Sequence, residues 1–154
     1  MCLADKKLTD LMTEQLMTVT PHTLLTVIDD IFTNENFHHI PVVEEDSGRC
    51  VGIISKSDYY QLQDKFTKFN RLSAEKTNDR FFQTLMAKEV MTQELVELGC
   101  QSTVQEAIVI FLNNKVSSII IQDENGLKGI ITPIDMLKEI NVIPCLNPLE
   151  DVNA

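Results

Sequence analysis

One pattern is written twice in this 154-residue chain, and that duplication narrows the folds open to it. Leu11-Met12-Thr13 returns as Val90-Met91-Thr92, 79 positions on (12 to 91). The same offset carries Leu16 onto Leu95, Ile31-Phe32 onto Ile110-Phe111, Asn34 onto Asn113 and Glu45 onto Glu124. Gly52-Ile53-Ile54-Ser55-Lys56-Ser57-Asp58 then returns as Gly129-Ile130-Ile131-Thr132-Pro133-Ile134-Asp135, at an offset of 77 (58 to 135). The first copy thus holds two extra residues between Glu45 and Val51, where a surface turn tolerates them.

Each copy reads as strand, helix, strand, strand, helix. Leu24, Leu25, Val27, Ile28, Ile31 and Phe32 recur at helical spacing, as do Val104, Ala107, Ile108, Phe111 and Leu112. Ser102 with Gln105 predicts a capping box for the second of these helices, and Thr23, behind Pro21, predicts a cap for the first. Ile40-Pro41-Val42-Val43 and Ile119-Ile120-Ile121 are each followed by a polar, glycine-containing turn and a second apolar run, which predicts two hairpins. A short amphipathic helix closes each copy, from Ser57 to Leu62 and from Ile134 to Ile140.

A unit of about 55 residues with three strands cannot cover both faces of its sheet. The expectation is an α+β fold in which two βαββα repeats pack on each other about a pseudo-twofold axis. The first repeat takes residues 1–62 (core 8–62) and the second 87–141. A partly helical connector, 63–86, is expected to be anchored by Phe66, Phe69, Phe81 and Phe82, and an irregular tail occupies 142–154.

Charge and composition exclude several functions. Thirteen Lys and Arg against 23 Asp and Glu give a net charge of −10, opposite to what phosphate neutralisation on nucleic acid or docking on anionic lipid requires. An apolar fraction of 44% supports a buried core, yet no run approaches the ~20 apolar residues of a membrane span. The first ten residues form no secretory h-region, so a cytoplasmic location is expected. Cys2, Cys50, Cys100 and Cys145 lie far apart with no C-x-x-C pair, which predicts neither a metal site nor a disulfide framework. No G-x-x-x-x-G-K-S/T, G-x-S-x-G, H-E-x-x-H or G-x-G-x-x-G occurs, and no enzymatic activity is expected.

The Met-Thr near each start, His39-Ile40-Pro41-Val42-Val43 and Gly52-Ile53-Ile54-Ser55-x-x-Asp58 resemble a CBS domain, named for cystathionine β-synthase. The resemblance covers about residues 8–62 and 87–140, so the whole resembles a tandem CBS pair, or Bateman module. It implies a non-catalytic regulatory module that needs no cofactor. Its clefts between the two repeats would take AMP, ADP or ATP first, with S-adenosylmethionine or NAD(H) as further candidates. It also implies a homodimer formed through helices and a regulated protein on another polypeptide.

A hydroxyl and a carboxylate three residues apart, just past a strand end, suit such a cleft. Asp58 and Asp135 are candidates to accept hydrogen bonds from a ribose diol, and Ser55 and Thr132 to meet ribose or phosphate. The competing role for the two aspartates is to charge the first turns of their helices. His38, matched by Ser117 and Ser118 in the second copy, is a candidate phosphate contact or a structural residue. Lys56 is a candidate phosphate counter-charge or a solvated lysine, and Pro133 in its place makes the two clefts unequal. Met17, Ile40, Pro41, Val96, Val116 and Ile119 are candidates for the adenine side, or plain strand core. Ile120 in the place of Pro41 is a further departure of the second copy. The competing function is a dimerisation or interaction scaffold that binds no ligand.

Overall fold

The computed structural model describes residues 3–72, 82–114 and 116–141. It is a mixed α+β structure containing both repeats. In chain order the elements are α1 (Leu25–Asn34), β1 (His39–Val43), β2 (Cys50–Ser55), α2 (Lys56–Leu72), α3 (Ala87–Val90), β3 (Glu97–Leu98), α4 (Val104–Asn114), β4 (Ile119–Asp123), β5 (Gly126–Ile131) and α5 (Pro133–Asn141).

The compact units do not follow the chain in order. Among the described residues, one gathers residues 3–15 with Val96–Glu124 and residues 128–141; the other holds Leu16–Leu95 and Asn125–Leu127. Backbone hydrogen bonds explain this partition. In the second of these units β1 and β2 form an antiparallel hairpin in which Ile40 faces Ile54. Val19 runs parallel to Val42 on one side, its N–H donating to Pro41 O (3.1 Å) and its carbonyl accepting from Val43 N–H (2.8 Å). On the other side Thr92 and Ile53 exchange bonds of 2.9 and 3.0 Å.

The first unit repeats the scheme. β3 lies parallel to β4, the strand order is β3-β4-β5, and Thr13 exchanges bonds of 2.9 and 3.1 Å with Ile130. The Met-Thr segment of each copy therefore closes the sheet edge beside the other copy's hairpin, satisfying backbone groups that an open edge would leave exposed. The leading strand expected in the first copy is reduced to an isolated bridge at Val19.

Each unit has its own core. Leu25, Ile28 and Phe32 of α1 are buried with Ile40, Val42, Ile54 and Tyr59. Val104 and Ala107 of α4 are buried with Leu8, Ile119, Ile121, Ile131 and Met136. Full burial of a side chain such as Leu25 or Ile28 contributes about 1.5–3 kcal/mol. The expected stripes are narrower than their apolar residues suggest, because Leu24 and Val27 are half-exposed and Leu112 is 77% exposed. Gly126 turns with φ +98°, a left-handed conformation that side-chain-bearing residues rarely adopt.

Three local expectations need correction. The cap of α4 sits one residue later than Ser102: Thr103 N–H donates to the Glu106 carboxylate (2.6 Å) and Glu106 N–H donates to Thr103 Oγ1 (3.4 Å). Pairing of Lys6–Leu8 with Ser102–Val104 holds Thr103 extended, which makes it the last residue before the helix. Thr23 does not cap α1, since its Oγ1 accepts from Thr20 N–H (3.0 Å) and Leu24 stands at the N-cap. The helix expected from Ser57 to Leu62 begins at Lys56 and runs to Leu72. Phe66 and Phe82 meet at a ring separation of 5.2 Å, with Phe82 6.1 Å from Tyr59. The Phe69 side chain, Phe81 and the tail 142–154 lie outside the described residues.

Candidate functional site

The last helix of each copy opens on the same hydroxyl-x-x-carboxylate sequence, and the two copies cap it in opposite ways. Ser55 ends β2, and its Oγ accepts the Asp58 N–H at 3.1 Å, with Ser57 Oγ also 3.1 Å away. The hydroxyl thus satisfies an orphan donor of the first helical turn. The Asp58 carboxylate is left exposed, with no hydrogen bond or ion pair among the described residues.

In the second copy the carboxylate does the capping. Asp135 Oδ2 accepts the Thr132 N–H at 2.9 Å and the Thr132 hydroxyl at 2.7 Å, and Oδ1 lies 3.6 Å from Lys138 Nζ. Its side chain is only 9% exposed. These are the two halves of one reciprocal cap, divided between the copies. Pro133 takes the first helical position, where its missing N–H costs nothing.

Other candidates are distributed more widely. Lys56, at the start of α2, donates its ammonium to Phe32 O at 2.6 Å near the end of α1, a favourable place for a cation. His38 has an exposed side chain, and its carbonyl accepts the Lys56 N–H at 2.8 Å. Ile40 and Pro41 are fully buried, and Met17 is half-buried in the leading segment. In the second copy Ile119 is fully buried, Val96 and Val116 pack partly buried on the same core, Ser117 is exposed and Ser118 half-buried.

A cavity of about 480 Å³ lies within the unit that carries the first hairpin. This is the size range of small-molecule sites. Of the sequence candidates it brings together Ser55 and Asp58. Ile53, Leu62, Phe66, Leu85 and Val90 give it apolar walls, and Gln61, Lys65, Glu89 and Thr92 give it polar ones. Sequence reasoning missed those polar residues. The spacing of Asp58, Gln61, Leu62 and Lys65 along one helical face was available as a signal. The approach of Leu85–Thr92 was not, because it follows from the Thr92–Ile53 pairing across the sheet edge.

Tyr59 also lines the cavity, while its hydroxyl is buried without a hydrogen-bond partner among the described residues. Burial, and then the nearby Asp29 carboxylate, push its ionisation well above the usual tyrosine range. Among the described residues no cluster of three or more His, Cys, Asp or Glu side chains could hold a metal ion, and no helix is long and apolar enough to cross a membrane.

The CBS domain family model matches residues 8–63 and 87–142. The chain is 30% identical over 132 residues to uncharacterized protein MJ1225 of Methanocaldococcus jannaschii, a match covering 82% of this chain and 46% of that protein. It spans less than half the length of the curated relatives it matches. The crystal structure of MJ1225 superposes with a TM-score of 0.72 at 28% identity, over 89% of this chain and 48% of the other. Two further structures share the fold at 18% identity. The CBS domain pair of protein MJ0100, in complex with 5′-methylthioadenosine and S-adenosyl-L-methionine, superposes with a TM-score of 0.67 over 88% of this chain and 96% of that one. CBSX2 in complex with AMP superposes with 0.68 over 87% and 95%.

Proposed function

Because this chain belongs to the CBS domain family and carries two copies of the domain, we propose that it is a non-catalytic regulatory module that binds an adenosine-containing ligand beside Asp58 and signals occupancy to a separate protein. The observation that carries this reading is the Asp58 carboxylate, exposed and unpartnered among the described residues, on the wall of a cavity with apolar sides. An ionised carboxylate so placed accepts both hydroxyls of a ribose diol, and apolar walls suit a purine. The AMP and S-adenosyl-L-methionine complexes of similar folds support the same ligand class. The fully buried Ile40, Pro41 and Ile119 serve as core under this reading, and Asp135 serves as a helix cap.

A regulatory role also requires that the ligand favour one arrangement of the protein over another, since equal affinity for both would shift nothing. Thermal melts with AMP, ADP, ATP, S-adenosylmethionine and NADH test the binding step. At 100 times its Kd a ligand stabilises the fold by about 2.7 kcal/mol. Melts unchanged by all five would overturn ligand binding and leave the scaffold.

A second, compatible reading is self-association. Val109 and Leu112 on α4, and Ile134 and Leu137 on α5, are 50–77% exposed on two helices that touch each other. Apolar side chains grouped in this way suit a protein–protein contact, and a second copy of the chain is the partner proposed. Sedimentation of the wild type and of Leu112→Glu tests it: a dimer that the substitution converts to monomer supports the reading.

A further inference from the structure

The cavity beside Asp58 carries a second group that the sequence reading assigned no role. Lys65 is exposed, lies on the cavity wall and has no hydrogen bond or ion pair among the described residues. It follows Asp58 by seven residues on α2, two helical turns on the same face, or about 10.5 Å along the axis. Among the described residues lining the cavity it is the one cation. The other lysine expected near the site, Lys56, has its ammonium on the Phe32 carbonyl.

We infer that Lys65 receives the anionic end of the ligand whose ribose Asp58 holds, and that it selects for a single anionic group. The inference rests on the reading of Asp58 as the ribose contact. Its physical basis is a polar axis. An unpartnered carboxylate among the described residues marks one end of the α2 face and an unpartnered ammonium the other, with Gln61 and Leu62 between them. The flexible four-carbon stem of a lysine lets its charge follow a phosphate or carboxylate along that axis.

The limit to one anionic group comes from the other charges. Glu89 is a second carboxylate on the cavity wall, held with one oxygen on the Met86 N–H at 2.8 Å. One ammonium beside two carboxylates offers a single counter-charge, which pairs one anionic group and leaves none for further phosphates, and a net charge of −10 supplies none from a distance. A nucleoside monophosphate and an adenosyl amino acid each present one such group. Their shared chemistry is the diol at one end and the single anion at the other.

The test is calorimetric titration of the full chain with adenosine, AMP, ATP and S-adenosylmethionine. It is repeated on Lys65→Ala, Lys65→Arg and Asp58→Ala. The wild type is expected to bind AMP about fivefold tighter than adenosine, the effect of one partly exposed charge pair, and ATP no tighter than AMP. Lys65→Ala erases the AMP advantage without changing adenosine affinity, whereas Lys65→Arg retains it. The advantage shrinks as salt rises. Of AMP and S-adenosylmethionine, the one whose affinity falls further in Lys65→Ala identifies phosphate or carboxylate as the anion. An AMP advantage that persists in Lys65→Ala, or an ATP affinity well above that of AMP, overturns the role of Lys65 while adenosine binding keeps the Asp58 reading. Adenosine affinity unchanged in Asp58→Ala, or no binding of any of the four to the wild type, overturns both.

Discussion

Met91 occupies the space in which a side chain at Gly52 would have to begin: a Cβ added there would lie 2.2 Å from Met91 Sδ. The second copy mirrors this, with Met12 Sδ at 2.5 Å from a Cβ built on Gly129. The methionine of each Met-Thr thus packs on the glycine of the other copy's hairpin, beside the bridges Ile53–Thr92 and Thr13–Ile130. The pairing gives a physical reason for both halves of the repeated pattern. A glycine leaves room for the neighbouring segment to approach closely, and the methionine fills the gap.

Gly52→Ala and Gly129→Ala should each destabilise the protein by about 1–3 kcal/mol through overpacking. Gly129→Ala is expected to cost more, because its Cβ would also meet the Thr13 carbonyl oxygen at 3.0 Å, and backbone yields less readily than a thioether. Urea midpoints of the two variants check this. Midpoints equal to the wild type would remove the packing argument.

The unequal caps predict unequal variants. Asp135→Ala removes two hydrogen bonds from Thr132, a loss of about 1 kcal/mol for a helix cap. Asp58→Ala removes no hydrogen bond within the described residues and should cost about 0.5 kcal/mol or less, the effect of a charge at a helix start. Thermal melts without ligand give the comparison, and the reverse order would refute the assignment of the caps.

Tyr59 predicts an alkaline loss of stability. Burial and Asp29 hold its phenol protonated above the range in which an unfolded tyrosine ionises, near 10. Below that pH both states are neutral and the group contributes no pH dependence. Above it only the unfolded state loses the proton, so stability falls by up to about 1.4 kcal/mol per pH unit. Tyr59→Phe should flatten this fall between pH 10 and 11. At pH 7 it should be neutral or stabilising, since it removes a buried hydroxyl without a partner. Urea melts across that range test both statements.

Local patterns made much of the fold legible. The stripe Leu25, Ile28 and Phe32, the hairpin turns and the repeat itself depend on neighbours in sequence, and they form the expected elements. Pairings distant in sequence were not legible. Nothing in the spacing says that Thr13 joins Ile130 or that Thr92 joins Ile53, and those bonds decide which segments share a unit. The register of the α4 cap was hidden for the same reason, since Ser102 and Thr103 both cap well and the Lys6–Leu8 segment chooses between them. The motif at Ser55 and Asp58 was legible as a site. Its difference from Thr132 and Asp135 was not, because identical spacing permits either half of the reciprocal cap to form.

The central claim is that Asp58 holds a ligand while Asp135 holds a helix. Its most direct measurement is calorimetric titration of AMP into the wild type, Asp58→Asn and Asp135→Asn at one pH and salt concentration. The expected result is binding to the wild type and to Asp135→Asn, with affinity for Asp58→Asn reduced tenfold or more, about 1.4 kcal/mol. Undiminished binding to Asp58→Asn, or a loss confined to Asp135→Asn, would contradict it.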